Sequence, residues 1–465
     1  MLKNDSVGKE MLNLVGELFP ICRSITGNGN RKTLEIIESH IPIVIKEVPS
    51  GTNVFDWTIP KEWNIHDAYV KNSKGEKIID FKKSNLHILQ YSIPIHKKMN
   101  LDELKTHLYT LEEYPDWIPY RTSYYQENWG FCISHNQFQK LEEDEYEVFI
   151  DSTLENGSLT YGELFFKGEL DDEILFSTYI CHPSLCNDNL SGVSLLTFLA
   201  KTLINKQTKY SYRFLFIPET IGAITWLSLN ENNLGKIKGG LVATCLGDSG
   251  CLTYKKSRIG NSMIDQIVQN VLEDSKSEYN LLNFFPTGSD ERQFCSVGFN
   301  LPIGSLIRTI YGKFPEYHTS ADNLEFINSK SLANSFEIYS KIIDALEKNE
   351  MNINSEQKLR YEIKNSEHEN SLNSRPKIID TLEKNQSYIT INSKCEPNLG
   401  KRGLYNLIGA SKKSKQLHEP FLWILNQSDG SNSLLDISIK SDIDFLKIVD
   451  AAKILYEHNL IKLKN

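Results

Sequence analysis

Four residues of this 465-residue chain are of the types that hold a metal and move protons. His182 and Asp188 lie in the stretch Ile180-Cys-His-Pro-Ser-Leu-Cys-Asn-Asp-Asn-Leu-Ser-Gly192. Glu219 follows the apolar run Tyr212-Arg-Phe-Leu-Phe-Ile-Pro218, and His318 sits in the polar run Glu316-Tyr-His-Thr-Ser-Ala-Asp322. A histidine, a carboxylate and a distant second histidine supply three ligands and leave the fourth tetrahedral position to water, the pattern of catalytic zinc. Zinc would bring that water's pKa near neutrality and polarise a scissile carbonyl. A carboxylate that is not a ligand is then needed to take the water's proton and hand it to a leaving amine, and Glu219 is the candidate. Each residue also has a plainer reading. Asp188 could cap a helix, Glu219 could stand beside a helix N-terminus, and His318 could be a loop histidine with a satisfied hydrogen bond. What favours the metal reading is their joint placement on one sheet edge.

That placement follows from the elements around them. Glu173-Ile-Leu-Phe-Ser-Thr-Tyr-Ile180 is apolar, β-branched and aromatic, as a buried parallel strand is. The run from Val193 to Leu203 has helical apolar spacing. His182 and Asp188 therefore fall between a strand's C-terminal end and a helix's N-terminus, where open α/β sheets hold ligands. Strands and helices alternate from Leu159 to Lys348. Strands are expected over Glu163 to Lys167, Ile174 to Cys181, Tyr212 to Pro218, Gly240 to Leu246 and Leu301 to Ile307. Helices are expected over Val193 to Ile204, Ile221 to Leu229, Met263 to Leu272 and Ser329 to Leu346. The pattern predicts an α/β fold, a mainly parallel sheet with helices on both faces.

Two further regions depart from this texture. From about Ile43 to Leu154 the chain reads as short aromatic-rich strands between turns, with only Leu101 to Leu111 firmly helical, and is taken as an inserted β-rich domain. Tyr120-Arg-Thr-Ser-Tyr-Tyr125 within it could wall a substrate pocket or form a structural aromatic cluster. Glu356 to Asn373 is polar and charged, a solvated connector. The last segment carries three short helices and a strand-like wing, a winged helix-turn-helix. Over residues 406–465 eight lysines face seven acids with no arginine to read a guanine edge, so a protein contact or a pairing of subunits is favoured over DNA binding. The expected division is 1–44 with 155–350 as the α/β domain, 45–154 as the insert, 351–384 as linker and 385–465 as the winged helix.

At 465 residues the chain exceeds what one core usually organises. A formal net charge of −9 with mixed signs argues against a general nucleic-acid surface. No stretch approaches the roughly 18 consecutive apolar residues of a membrane span. The N-terminus lacks a signal-peptide apolar core, so a cytoplasmic location is expected. The eight cysteines are scattered without a CxxC pair, and read as reduced, mostly buried thiols. Cys181 and Cys186 flank the central motif more as small hydrophobes than as ligands.

Asp188-Asn-Leu-Ser-Gly192, Pro218-Glu219 after an apolar strand, Gly288-Ser-Asp290 and His318-Thr-Ser-Ala-Asp322 resemble the zinc-dependent exopeptidases of the bacterial leucyl aminopeptidase and glutaminyl cyclase group. Val54-Phe-Asp-Trp57, Trp129-Gly-Phe-Cys132, Ile180-Cys-His-Pro-Ser184, Gly288-Ser-Asp-Glu-Arg-Gln293 and Lys401-Arg-Gly-Leu-Tyr405 more closely resemble a bacterial family of aminopeptidase-like proteins with an inserted β domain and a C-terminal winged helix. The resemblance implies His182 and His318 as ligands, Asp188 as a ligand bridging two metals and Glu219 as general base. Two ligands of the two-metal pattern are missing. Thr220 follows Glu219 where a second glutamate is usual, and Thr244 stands where the next strand usually ends in a metal-binding aspartate. The step from His182 to Asp188 is also short for that group. One zinc held by His182, Asp188 and His318 is therefore expected.

Asp290, Glu291, Arg292 and Arg308 are candidates for orienting ligands or gripping a substrate terminus, since arginine suits bidentate carboxylate binding. Tyr317 is a further candidate for substrate contact. The expected activity is hydrolysis of a peptide or related amide, exo-acting, with insert and tail restricting access. The alternatives are a degenerate binding or regulatory protein working through its winged helix, and a deacylase acting on amino-sugar or polysaccharide precursors.

Overall fold

The computed structural model describes residues 4–348, 384–405 and 414–464. Two helices open the chain, α1 (Asn4–Leu18) and α2 (Asn28–His40). Strand β1 (Val44–Pro49) follows, and then the strands of the insert. These are β2 (Asn53–Val54), β3 (Trp57–Thr58), β4 (Glu62–Lys71), β5 (Lys77–Asp80), β6 (Ile95–Asn100), β7 (Leu108–Tyr109), β8 (Phe131–Cys132) and β9 (Glu145–Glu155). The chain then returns through β10 (Ser158–Phe166), β11 (Glu173–Tyr179), β12 (Ser211–Ile217), β13 (Ile237–Ala243), β14 (Leu252–Lys255), β15 (Tyr279–Leu282) and β16 (Ile303–Ile307).

The large sheet has eight strands in the order β1-β10-β12-β11-β13-β16-β14-β15. Its centre, β12-β11-β13-β16, is parallel, while β1, β10 and β14 join antiparallel. The parallel character predicted from apolar runs thus belongs to the middle of the sheet. Every residue of β11 is buried, as both faces of a central strand must be. Its one acid, Glu173, is ion-paired with Arg213 of β12 at 2.7 Å.

Helices cover both faces. The run after the central motif forms a helix over Ser191–Leu203, packed against the N-terminal helix α1 and the helix Ser329–Lys348. A β-carbon on Gly192 would meet the Ala243 carbonyl at 2.3 Å, so only glycine lets this helix start so close to β13.

The insert builds its own four-stranded sheet, β5-β4-β9-β6. Its boundary differs from the predicted one, because β1 pairs along its length with β10 of the large sheet. The helix expected over Leu101 to Leu111 stops at Lys105, because Leu108–Tyr109 is taken up by a parallel pairing with Phe131–Cys132.

The C-terminal segment has helices over Ser414–Gln427, Leu434–Ser441 and Phe445–Glu457 and a three-stranded sheet closed by Ile461–Leu463, a winged helix. The connector read over Glu356 to Asn373, and all but the last residue of the linker read over 351–384, lie outside the described residues. No described helix is long and apolar enough to cross a membrane.

Candidate metal centre and its cavity

The three predicted ligands converge. One donor atom each from His182, Asp188 and His318 lies within 4.8 Å of the others, and all three residues are buried. His318 Nε2 stands 3.0 Å from Asp188 Oδ2, and the rings of His182 and His318 are 5.3 Å apart. Burial pushes the His182 imidazole down to about 4, so it is neutral, as a ligand must be. Burial alone would raise the Asp188 carboxyl. His182 beside it, with His318 and the Tyr179 hydroxyl, instead holds it down to about 2. Two neutral-capable imidazoles and one anionic carboxylate form a donor set that fits zinc.

Each ligand is braced from behind. The His182 carbonyl accepts from Arg23 Nε at 2.9 Å, and Arg23 also donates to the Leu18 carbonyl at 2.6 Å. Arg23 is fully buried, a cation spent on holding backbone. The Asp188 loop is gripped by Asp322, whose carboxylate accepts from the backbone N–H of Asn187 at 2.6 Å and of Asp188 at 2.9 Å. Burial pushes Asp322 up to about 8. His318 has a left-handed backbone (φ 58°), and its carbonyl accepts from the Tyr120 N–H of the insert at 2.8 Å. Tyr317 stacks on the His318 ring at 3.9 Å, so it orients this ligand.

Asp188 has a second face. The Tyr179 hydroxyl donates to Asp188 Oδ1 and meets Thr244 Oγ1 at 2.6 Å. Asp248 is engaged elsewhere, accepting from Asn187 Nδ2 at 2.9 Å and Thr309 Oγ1 at 2.7 Å.

Glu219 lies across from the ligands, with Oε2 3.7 Å from His182 Nε2. The next residue, Thr220, has φ 63°, a costly backbone for a β-branched side chain. Asp290 and Arg292 hold it there. Thr220 N donates to Asp290 Oδ1 at 2.7 Å, and Arg292 donates to Thr220 Oγ1 at 3.0 Å. Gly288-Ser-Asp290 and its sequel therefore act as a brace for the turn that presents Glu219. Glu291 is turned away, in a fully buried pair with Lys255 at 2.6 Å.

Arg308 is not brought to this site. Its guanidinium donates to the Gly250 carbonyl at 2.9 Å, Asn334 Oδ1 at 3.0 Å and the Ser331 carbonyl at 3.3 Å. An arginine at a strand end looks like a substrate grip in sequence, but this one ties a loop to the helix Ser329–Lys348.

A cavity of about 550 Å³ opens over His182, Glu219 and His318. Its walls come from three parts of the chain. Cys181, Thr220, Ile221 and Arg292 belong to the α/β core. Trp57, Tyr120, Tyr124 and Tyr125 belong to the insert. Glu396, Asn398, Lys401 and Tyr405 come from the C-terminal segment, after the strand Ser387–Thr390 of its three-stranded sheet. The aromatic run predicted as either a wall or a structural cluster thus lines the cavity. The sequence predicts that the tail restricts access, but not that the cavity is lined by the stretch around Lys401-Arg-Gly-Leu-Tyr405. It is latched to the insert, with Asp56 of the turn between β2 and β3 paired to Lys401 at 2.7 Å and to the Arg402 guanidinium, and Trp57 Nε1 donating to the Glu396 carbonyl at 2.8 Å.

Comparison with known proteins agrees with this architecture. A family profile described as "Domain of unknown function (DUF4910)" matches residues 12–349, and one described as "winged helix-turn-helix" matches residues 386–463. A curated protein of Clostridium acetobutylicum is 55% identical over 99% of this chain and 98% of its own length. It carries the provisional name polysaccharide biosynthesis protein with aminopeptidase-like domain. The crystal structure of a provisionally named peptidase from Clostridium acetobutylicum is similar at 53% identity and a TM-score of 0.73, over 99% of this chain and 97% of that one. A zinc aminopeptidase from Bacillus subtilis shares the fold at 13% identity and a TM-score of 0.55, over 74% of this chain and 95% of that one.

Proposed function

Because the chain belongs to the DUF4910 family and has the zinc aminopeptidase fold, we propose that it is a zinc-dependent hydrolase of a peptide or related amide bond. The observation that carries this reading is the convergence of His182, Asp188 and His318 within 4.8 Å beneath a cavity that Glu219 also lines. These three residues would hold one zinc ion. When bound, zinc supplies Lewis-acid chemistry, bringing a water's pKa toward neutrality and polarising a carbonyl.

The chain's own groups do the rest. Glu219 takes one proton from the attacking water as its oxygen bonds to the carbonyl carbon, and returns that proton to the departing nitrogen as the C–N bond breaks. Asp290 and Arg292 keep the Glu219 turn in place. Tyr317 keeps the His318 ring in place. The cavity of about 550 Å³ is within the range of about 300–1,000 Å³ that small-molecule sites occupy.

One zinc rather than two is supported by Tyr179. Its hydroxyl donates to Asp188 Oδ1, the oxygen other than the one beside His318, and its other neighbour there is the neutral Thr244. Thr220 stands where the resemblance implies a second glutamate.

Elemental analysis of the purified chain, with hydrolysis of a panel of aminoacyl and acyl amides, tests the reading. One zinc per chain, with cleavage abolished in Glu219→Gln at unchanged zinc content, is expected. Absence of zinc after chelator-free purification, or a fully active Glu219→Gln, refutes it. The name of the Clostridium acetobutylicum relative favours a second reading, a deacylase on amino-sugar or polysaccharide precursors by the same chemistry. N-acylated amino sugars in the panel separate the two.

A further inference from the structure

Arg308 follows β16 and is only 8% exposed, yet it ends on no carboxylate among the described residues. Arg31, Arg213, Arg258, Arg292 and Arg402 each do. The partners of Arg308 are all neutral. Nε donates to the Gly250 carbonyl, and Nη1 to the Ser331 carbonyl, Asn334 Oδ1 and Ser335 Oγ. Nη2 donates to none of the described residues and keeps accessible surface. Asp248 acts on the guanidinium from a distance, but its oxygens are taken by Asn187 Nδ2, the Gly250 N–H and both donors of Thr309. Burial therefore pushes Arg308 below its ordinary range. A guanidinium stays protonated all the same, so a buried charge is left without a counter-charge.

That charge borders a pocket of about 630 Å³ between β14, β15 and the turn after β16. The pocket shares no lining residue with the cavity over the metal centre. Among the described residues that line it, Arg308 is the one charged group. Thr253 of β14 adds a hydroxyl, which accepts from Asn280 Nδ2 at 3.4 Å and keeps its own proton to give. Tyr279, Leu281, Leu282 and Ile310 make much of the remaining wall apolar. One cation and one hydroxyl match a guest of a single negative charge, through a charge-assisted hydrogen bond. A phosphate dianion would call for a second cation. The apolar wall calls for a hydrocarbon body.

We propose that this pocket binds a small monocarboxylate with an apolar body, its carboxylate held by Arg308 Nη2 and the Thr253 hydroxyl. The body lies against Tyr279, Leu281 and Ile310. The guest supplies the counter-charge that the fold withholds from Arg308. Binding here needs no metal, so it stands whether or not the chain is a hydrolase.

The test is calorimetric titration of the full chain with 4-methylpentanoate, with its neutral counterpart 4-methylpentanamide and with inorganic phosphate. Chelator is present throughout, so that carboxylate binding to zinc does not contribute. Wild type is expected to bind one 4-methylpentanoate per chain, at least about tenfold tighter than the amide, the effect of one charge-assisted hydrogen bond. Arg308→Gln is expected to abolish that preference. Asn280→Asp sets a like charge at an exposed position of the wall and leaves every Arg308 bond in place. It is expected to weaken carboxylate binding at least about threefold, with amide binding unchanged. Because Arg308 also ties a loop to the helix Ser329–Lys348, Asn280→Asp decides the matter where Arg308→Gln fails to fold. A preference undiminished in either folded variant overturns the proposal. Equal affinity for acid and amide in wild type, or no binding of the acid, overturns it too. Phosphate bound more tightly than the carboxylate also overturns it.

Discussion

The floor and the roof of the cavity are built on different principles. The floor places His182 on the connection after the central strand β11 and Glu219 on the connection after β12, with Asp188 leading into the buried helix Ser191–Leu203. His182, Asp188 and His318 are buried, and their backbone is held by hydrogen bonds with Arg23, with Asp322 and, across from the insert, with Tyr120. The roof is assembled from two segments far apart in the chain, the insert and the stretch from Glu396 to Tyr405. What joins them includes ion pairs, such as Asp56 with Arg402 across 346 residues. The floor and the insert lie within the residues 12–349 that the DUF4910 profile matches, and the rest of the roof lies within the winged-helix match. Substitutions in the two regions are expected to have different signatures.

The sharpest contrast comes from a ligand. His182→Ala, or His318→Ala, is expected to take the zinc content from about one per chain to near zero, because two remaining ligands do not hold the ion. Elemental analysis reads this directly, and full retention of zinc would show that the floor does not hold the metal. Next in size is Glu219→Gln, for which the zinc content stays and amide cleavage falls by about 10²–10⁴-fold, the usual contribution of a positioned general base. A matching loss of metal would move Glu219 from base to ligand.

A roof change is smaller and different in kind. Asp56→Asn removes the acceptor shared by Lys401 and Arg402, at a cost on the order of 1–3 kcal/mol for hydrogen bonds to a charged group. Limited proteolysis should then cut the 396–405 segment faster, and KM should rise with kcat and zinc content unchanged. A change in zinc would mean that floor and roof are one unit.

The smallest effect concerns how the insert is fastened to the core. The Arg31 guanidinium, 2.6 Å from Glu62, holds that carboxyl down to about 2, aided by the Ser158 N–H. An unfolded glutamate titrates near about 4.3. Its folded pKa is depressed, so its contribution is complete above about pH 4.3 and is lost as the pH falls toward 2. Thermal unfolding across that window should steepen in wild type relative to Glu62→Gln. Parallel curves would show that the pair contributes nothing measurable.

What could be read from sequence follows the same division. β11 and β12 are visible because a strand buried on both faces must be apolar throughout, and His182, Asp188, Glu219 and His318 are local to such elements. β14 and β15, only four residues each, carry too little pattern to be seen. Asp290 and Arg292 were expected near the substrate, and the structure uses both to hold Thr220 in a backbone that no propensity predicts. Arg308 misled because an arginine bound to carbonyls and one bound to substrate look alike in a string of letters. The docking of Glu396 at the cavity is not legible, since its backbone is held by Trp57 and Gln293, which are distant in sequence.

The order of these parts along the chain has a consequence for how the protein is made. Synthesis runs from the N-terminus, and domains fold as they emerge. His182, Asp188, Glu219 and His318 are all translated before Glu396. The residues of the floor therefore leave the ribosome before the segment that is latched over the cavity.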